Sequence, residues 1–502
     1  METTHVITEK DNVLVTLQAL REGEQITVGS RKLTLNGDVP VGHKIALQTI
    51  PDNGDIIKYG YPIGKATKEI IPGDWVHTHN MKTKLSGTQE YEYKPTQTQI
   101  RGNANASTSI EERTFQGYVR KNGEVGIRNE IWIINTVGCI NKACEMIAKR
   151  ANEQYKSENI DGVFHYPHLF GCSQLGDDLH NTQKILSNLV HHPNAAGILV
   201  MGLGCENNYI EEFKKVIGEY DGERVRFIEA QRVDDEFEVA MELLDDLVNY
   251  AKTFERQPVP ISKLKVGLKC GGSDSFSGIT GNPLLGAFSD RLISYGGSTV
   301  LTETPELFGA EQILMARAKN EVVFTKIVDL VNDFKEYFLR HDQPVYENPS
   351  PGNKKGGITT LEEKSLGNVQ KGGFAEVVDV IPYGDRVSEN GLTLLQGPGN
   401  DLVSVTALAA SGAHIVLFTT GRGTPFGGPV PTVKISTNTA LYKKKQNWID
   451  YNAGILLEGK SKDEVSKEFF DSIIQLASGE TQAKNEKFGF KEISIFKDGV
   501  IL

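Results

Sequence analysis

Four of the five cysteines in this chain of 502 residues share one setting. Cys139, Cys172, Cys205 and Cys270 each stand just after a short apolar run, in Val-Gly-Cys, Phe-Gly-Cys-Ser-Gln, Gly-Leu-Gly-Cys-Glu-Asn and Lys-Cys-Gly-Gly-Ser-Asp. In open α/β sheets, ligands bind beyond the carboxyl ends of the strands, where glycines admit close backbone approach. Four thiols on four such loops could converge on one crevice, and thiolates suit iron, zinc or an iron–sulfur cluster. The plainer reading is four small hydrophobes, because the spacing forms no compact Cys-x-x-Cys motif.

Histidines form a second group. In Asp74-Trp75-Val76-His77-Thr78-His79-Asn80 the two imidazoles lie two residues apart, so on a strand they face one way. Such a pair can bind a divalent metal or act as acid and base near neutral pH, unless it is simply a surface pair on an edge strand. Gly42-His43-Lys44 is a further polar cluster between two expected strands.

Anions have two candidate loops. In residues 419–425, glycines free backbone N–H groups, Thr424 adds a hydroxyl, and Arg422 can clamp a carboxylate with two parallel hydrogen bonds. The stretch carrying Asn353, Lys354 and Lys355 is the weaker candidate, since a turn with solvated lysines would look the same. Ser273 and Asp274 could hold sugar hydroxyls, or cap a helix, or both. Glu303, Glu306 and Glu311 supply carboxylates after another expected strand, although Glu306 and Glu311 also suit a helix start. No Gly-x-Gly-x-x-Gly opens a helix after the first strand of the body, so the dinucleotide fingerprint is missing.

These residues need a scaffold. Residues 1–84 read as a small β-rich unit, with strands expected at 13–17, 26–28, 32–35, 45–47 and 56–59 and one helical turn near 15–20. Residues 85–114 are polar and poor in aliphatics, the composition of a linker. From 115 the rhythm becomes α/β, with strands expected at 131–137, 162–166, 197–202, 225–229, 265–269 and 298–302. Amphipathic helices are expected at 207–218, 234–250 and 321–340. Composition shifts again at 341–373, where residues 348–357 are too rich in Pro and Gly to suggest regular structure. A C-terminal α/β unit, 342–502, follows a catalytic unit at 115–341; its strands are expected at 375–381, 414–418 and 432–436, its helix at 462–478, and a closing hairpin at 492–502. The overall expectation is an α/β fold, a small β domain linked to a large body with mostly parallel sheet.

With 54 Lys plus Arg against 65 Asp plus Glu, and no basic concentration, a nucleic-acid surface is not expected. No apolar run approaches the ~18 residues of a membrane helix, and the first residues carry no export pattern, so the expected setting is the cytoplasm.

Taken in order, these motifs, together with Ile57-Lys58-Tyr59-Gly60, Gly126-Ile127-Arg128-Asn129-Glu130 and Asn348-Pro349-Ser350-Pro351-Gly352-Asn353-Lys354, resemble the altronate/galactarate dehydratase family nearly end to end. The resemblance implies an N-terminal β-clip (SAF-like) domain, a larger α/β catalytic body, and a divalent metal, Fe(II) with Mn(II) as substitute. The His-x-His-Asn element at His77 and His79 sides with the altronate branch. The implied reaction is a hydro-lyase step of hexuronate catabolism, D-altronate losing water to give 2-dehydro-3-deoxy-D-gluconate. On this reading His43, His77 and His79 share the acid/base work. Lys44 and Arg422 hold the carboxylate, Ser273, Asp274 and Thr424 complete the substrate site, and Cys139, Cys172, Cys205 and Cys270 are the metal candidates. The N-terminal domain must then fold over the body, within one chain or between chains of a homo-oligomer. A galactarate dehydratase, a non-catalytic sugar-acid binder and an iron–sulfur redox protein are the competing functions.

Overall fold

The computed structural model describes residues 3–96 and 113–499. In the N-terminal unit, Thr4–His5, Val13–Thr16, Lys44–Ala46 and Trp75–Val76 form an antiparallel sheet. Side chains alternate across a strand, and here both faces are covered. Leu14 and Ile45 join the unit's own core with Leu20, Ile26, Leu35 and Val39. Val13, Ala46 and Val76 face the other way, into the core of the body. The domain is therefore anchored by apolar burial. The expected helical turn near 15–20 is absent, because Val15 and Thr16 are spent in the strand ladder.

The body holds two parallel sheets. The smaller runs in the order Gly162–His165, Glu130–Asn135, Ala195–Gly202, Val225–Glu229. The larger has seven strands, in the order Val377–Ile381, Leu392–Leu395, Ser298–Leu301, Lys265–Cys270, Ile415–Thr420, Thr432–Ser436, Tyr451–Asn452. Its central strands are buried on both faces, as parallel sheets require. Helix Glu321–Arg340 covers the flank: Asn320 caps its first turn, and Val323, Phe324, Ile327, Val331 and Phe334 line its inner face.

Three expectations need correction. A border at 341/342 would cut the seven-stranded sheet, which combines strands from 265–301 with strands from 377–452; the two sheets instead part between 229 and 265. Residues 341–373 contain two helices, Pro351–Lys355 and Leu361–Asn368. Ser350 as N-cap, Pro351 at the first helical position and Asn353 closing a capping box supply the start signal that the Pro and Gly content obscured. No hairpin forms within the described part of 492–502. Ser494 and Phe496 donate their N–H groups to Thr406 Oγ1 and the Tyr383 hydroxyl, and Asp498 and Gly499 to the Asp178 carboxylate.

The linker, 85–114, lies outside the described residues from 97 to 112. Its first part has no regular structure but is tied down along the body. The Tyr91 hydroxyl donates to Glu311, the Tyr93 ring packs on Phe324 at 5.1 Å, and Thr96 N–H reaches Ala316 O at 3.0 Å.

Candidate functional site

The carboxyl ends of the central strands open on a cavity of about 510 Å³. Cys270 ends one strand and Glu306 follows the next, while Asn348, Asn353, Lys354 and Lys364 come from the two-helix segment and Asp401 begins the helix Asp401–Ala410. Lys364 is the hub. Its ammonium donates to Glu306 Oε1 at 2.8 Å, Asn348 Oδ1 at 3.1 Å and Asn353 Oδ1 at 3.3 Å.

Beneath the floor lies an ion cluster. Glu303, in the left-handed region at φ 72°, takes one ammonium on each carboxylate oxygen, from Lys269 and from Lys371, all three side chains being fully buried. Lys269 also reaches Asp401 at 3.1 Å. Burial opposes ionisation of Glu306, yet Lys364, Lys269 and Lys371 together hold its carboxyl below the usual range. For Cys270, burial and then the Glu303 charge push the thiol up to about 12, so it stays protonated.

Cys270, Glu303 and Glu306 bring their ligand atoms within 4.8 Å, a grouping that can hold a metal ion and, among the described residues, the one trio of its kind. The donor types suit a divalent ion; the surroundings do not. Both Glu303 oxygens and Glu306 Oε1 already hold ammonium groups, and the thiol carries its proton. A dication would have to displace those lysines and sit beside them in a low-dielectric interior.

The N-terminal domain docks beside this cavity. Lys44 and Lys58 converge on Glu363, each at 2.8 Å, with all three side chains buried. Lys44 also donates to Gly357 O and Thr359 Oγ1. Its side chain is fully buried and takes no part in the cavity lining, which corrects the carboxylate-binding role expected of it. Desolvation lowers the Lys44 pKa to about 8, while Glu363, despite burial, is held at about 2 by Lys44 and Lys58.

The histidines gather around Trp75. His43 and His77 rings lie 4.9 Å apart, and His79 lies 5.0 Å from the indole. Trp75 Nε1 donates to His43 Nδ1, which leaves His43 Nε2 to face Lys355 O at 3.3 Å. Thr359 Oγ1 accepts from Lys44 and can therefore donate to His77 Nδ1, 2.9 Å away. Burial lowers all three imidazoles; for His77, burial with Lys44 and His43 brings the pKa to about 3. They are neutral rings, His43 and His77 touching Lys355 and Thr359, and the cavity lining includes none of the three.

The remaining expected site residues divide. Asp274 is buried and accepts from Thr437, Asn438 and Ser277. Its carboxylate lies beneath Gly421, where a Cβ would come within 2.2 Å. It therefore stitches two strand-end loops together, and its oxygens are not free for sugar hydroxyls. The Ser273 hydroxyl, by contrast, is buried without a hydrogen-bond partner, next to Cys270 and Lys364 in a small annex of the cavity. Arg422 is exposed and reaches Gly352 O at 3.4 Å, beside the cavity wall. Thr424 Oγ1 accepts from Phe426 N–H and shapes its own turn. The four cysteines do not share one crevice: Cys139, Cys172 and Cys205 are exposed at the end of the smaller sheet, and Cys270 is buried in the larger. Lys364, Lys269, Lys371 and Asp401 had no motif to announce them.

Comparison with known proteins gives this geometry a lineage. Residues 3–84 match the altronate/galactarate dehydratase SAF domain, 117–252 the second domain of D-galactarate dehydratase/altronate hydrolase, and 261–501 the C-terminal domain of D-galactarate/altronate dehydratase. The chain belongs to the altronate/galactarate dehydratase family. It is 54% identical to the altronate dehydratase of Bacillus subtilis (strain 168), over 99% of both chains. Identity is 52% to the altronate dehydratase of Escherichia coli (strain K12), over 98% of both. The galactarate dehydratase (L-threo-forming) of the same E. coli strain is 32% identical over 97% of this chain and 95% of its own. The family's domain limits also agree with a break between the two sheets near residues 252–261.

Proposed function

We propose that this chain is a hydro-lyase that converts D-altronate to 2-dehydro-3-deoxy-D-gluconate and water. The observation that carries the reading is identity of 52–54% to two altronate dehydratases over essentially the whole chain, against 32% to a galactarate dehydratase. The cavity supports it: ammonium, amide and carboxylate groups line it, as a polyhydroxy acid requires.

In this reading Lys364 and Lys354 hold the substrate carboxylate. Removing the C2 proton places a second negative charge on that carboxylate, and the two ammoniums stabilise the enediolate where it forms. Glu306, kept ionised beside Lys364, accepts the C2 proton. Lys354 delivers a proton to the departing C3 hydroxyl, which leaves as water, and the enol then becomes the ketone. Arg422 guards the entrance, and Ser273 offers its unpaired hydroxyl to a substrate oxygen. His43 and His77 brace residues 355–359 and with them the cavity wall; direct acid/base work by His77 is the second reading. Fe(II), with Mn(II) as substitute, belongs to the proposal, as do a cytoplasmic setting, where the five free thiols stay reduced, and a homo-oligomer.

The test is a 2-keto-3-deoxy acid assay on anaerobically prepared protein, with D-altronate or galactarate and with or without each metal. Product from D-altronate, and a loss of at least ~10²-fold in Glu306→Gln and Lys364→Met, would support the proposal. No product from D-altronate under any condition would overturn it. His77→Ala decides the second reading, which fails if a folded variant turns over normally.

A further inference from the structure

Three of the thiols left unused by the cavity stand together. The smaller sheet places the loops after Glu130–Asn135, Gly162–His165 and Ala195–Gly202 side by side, because those three strands are neighbours and parallel. Each loop presents an exposed cysteine immediately after a glycine: Gly138-Cys139, Gly171-Cys172 and Gly204-Cys205. The glycines mark close approach. A Cβ at 138 would fall 2.6 Å from His168 O, and one at 171 only 1.9 Å from Thr136 O.

Hydrogen bonds then zip the loops together. Gly138 N–H donates to Phe170 O at 2.9 Å, and Asn208 N–H to Gly171 O at 3.0 Å. Ser173 N–H donates to Asn207 Oδ1 at 2.8 Å, and Asn208 Nδ2 to Thr136 O at 3.1 Å. Two buried polar atoms in these same loops, Gln174 Nε2 and Asn208 Oδ1, have no partner. Three exposed thiols held on a braced platform are a poor use of cysteine unless something binds them.

The spacing argues against a single bound ion. The three thiols do not meet within 4.8 Å of one another, whereas one tetrahedral ion would draw its sulfurs to about 3.8 Å apart, given metal–sulfur bonds of about 2.3 Å. A four-iron cluster seats each thiolate on a separate iron and spans a wider triangle. We propose that Cys139, Cys172 and Cys205 bind a four-iron iron–sulfur cluster, with one iron left without a protein ligand and open to an oxygen atom of a small anion. Neither remaining cysteine completes the set: Cys144 is buried against Met201, and Cys270 belongs to the other sheet. The inference is independent of the substrate assignment.

The experiment uses the full chain, purified anaerobically and reconstituted with Fe(III) and sulfide under a thiol that reduces part of the iron. Iron and acid-labile sulfide are counted and the visible spectrum recorded. The expected result is about four of each per chain with a broad visible band, lost in each of Cys139→Ser, Cys172→Ser and Cys205→Ser and kept in Cys144→Ala. Iron without labile sulfide, or a folded serine variant that keeps its full cluster, would overturn the proposal. Should the serine variants fail to fold, alkylation mapping of the wild type decides: cluster loading must protect all three thiols, and labelling that loading leaves unchanged refutes the site.

Discussion

Replacing Glu363 by Gln removes the one carboxylate that two buried lysines of the N-terminal domain share. The group ionises at about 2 in the folded chain against an ordinary 4.5. At about 1.4 kcal/mol per pH unit, that difference corresponds to about 3 kcal/mol of differential stabilisation of the charged form. Breaking a buried pair by removing one partner characteristically costs about 3–5 kcal/mol, because the other charge stays buried and unpaired. Here two ammoniums are stranded, Lys44 and Lys58, and both cross from the domain to the body. Glu363→Gln should therefore destabilise docking by about 3 kcal/mol or more. The assay is urea unfolding followed by tryptophan fluorescence, with limited proteolysis reporting release of residues 3–84. The triple variant Lys44→Met/Lys58→Met/Glu363→Met should recover most of the loss, since apolar replacements of a buried ion cluster are often neutral. A Glu363→Gln protein within ~0.5 kcal/mol of wild type, with unchanged proteolysis, would refute the reasoning, that being the ordinary effect of a surface substitution.

Further outcomes follow from the same geometry. Because the folded pKa of Glu363 lies below its unfolded value, its contribution is present in full above about pH 4.5 and is lost as pH falls toward 2; an acid titration of domain release should show this window, and Glu363→Gln should lack it. In metal-free native protein, iodoacetamide should label Cys139, Cys172 and Cys205 and spare Cys144 and Cys270, both buried with thiols pushed up to about 12; mass mapping that finds Cys270 among the fast sites would contradict the burial described. Gly171→Ala should cost about 2 kcal/mol or more, since φ is +97° and the new Cβ would meet Thr136 O at 1.9 Å; an unchanged melting temperature would show that the two loops are not in contact.

Much of the architecture follows from local pattern. Apolar runs at 131–137, 197–202 and 265–269 become strands of parallel sheets because they are continuous rather than alternating, and the stripe from Val323 to Phe334 yields a helix over Glu321–Arg340. The ordered motifs were enough for the family, and the cysteines fall at strand ends where the pattern placed them. The helix Pro351–Lys355 was also written in the chain, in Ser350, Pro351 and Asn353, though its composition hid it.

What tertiary structure decided is which of those residues face solvent, substrate or one another. Lys44 and Arg422 look alike as cations in a sequence. One is buried against Glu363, the other is exposed beside a cavity, and the difference rests on partners about 319 and 70 residues away. Asp274 is a free carboxylate until Thr437 and Asn438 come round to claim it. Lys364 carries no motif; it becomes a hub because helix Leu361–Asn368 aims it at Glu306, Asn348 and Asn353. Four cysteines in one context separate into three and one because two sheets, not one, receive their strands. Periodicity and turn chemistry act over a few residues and can be read along the chain. Desolvation and charge pairing depend on what packs against a group, and only the folded chain supplies that.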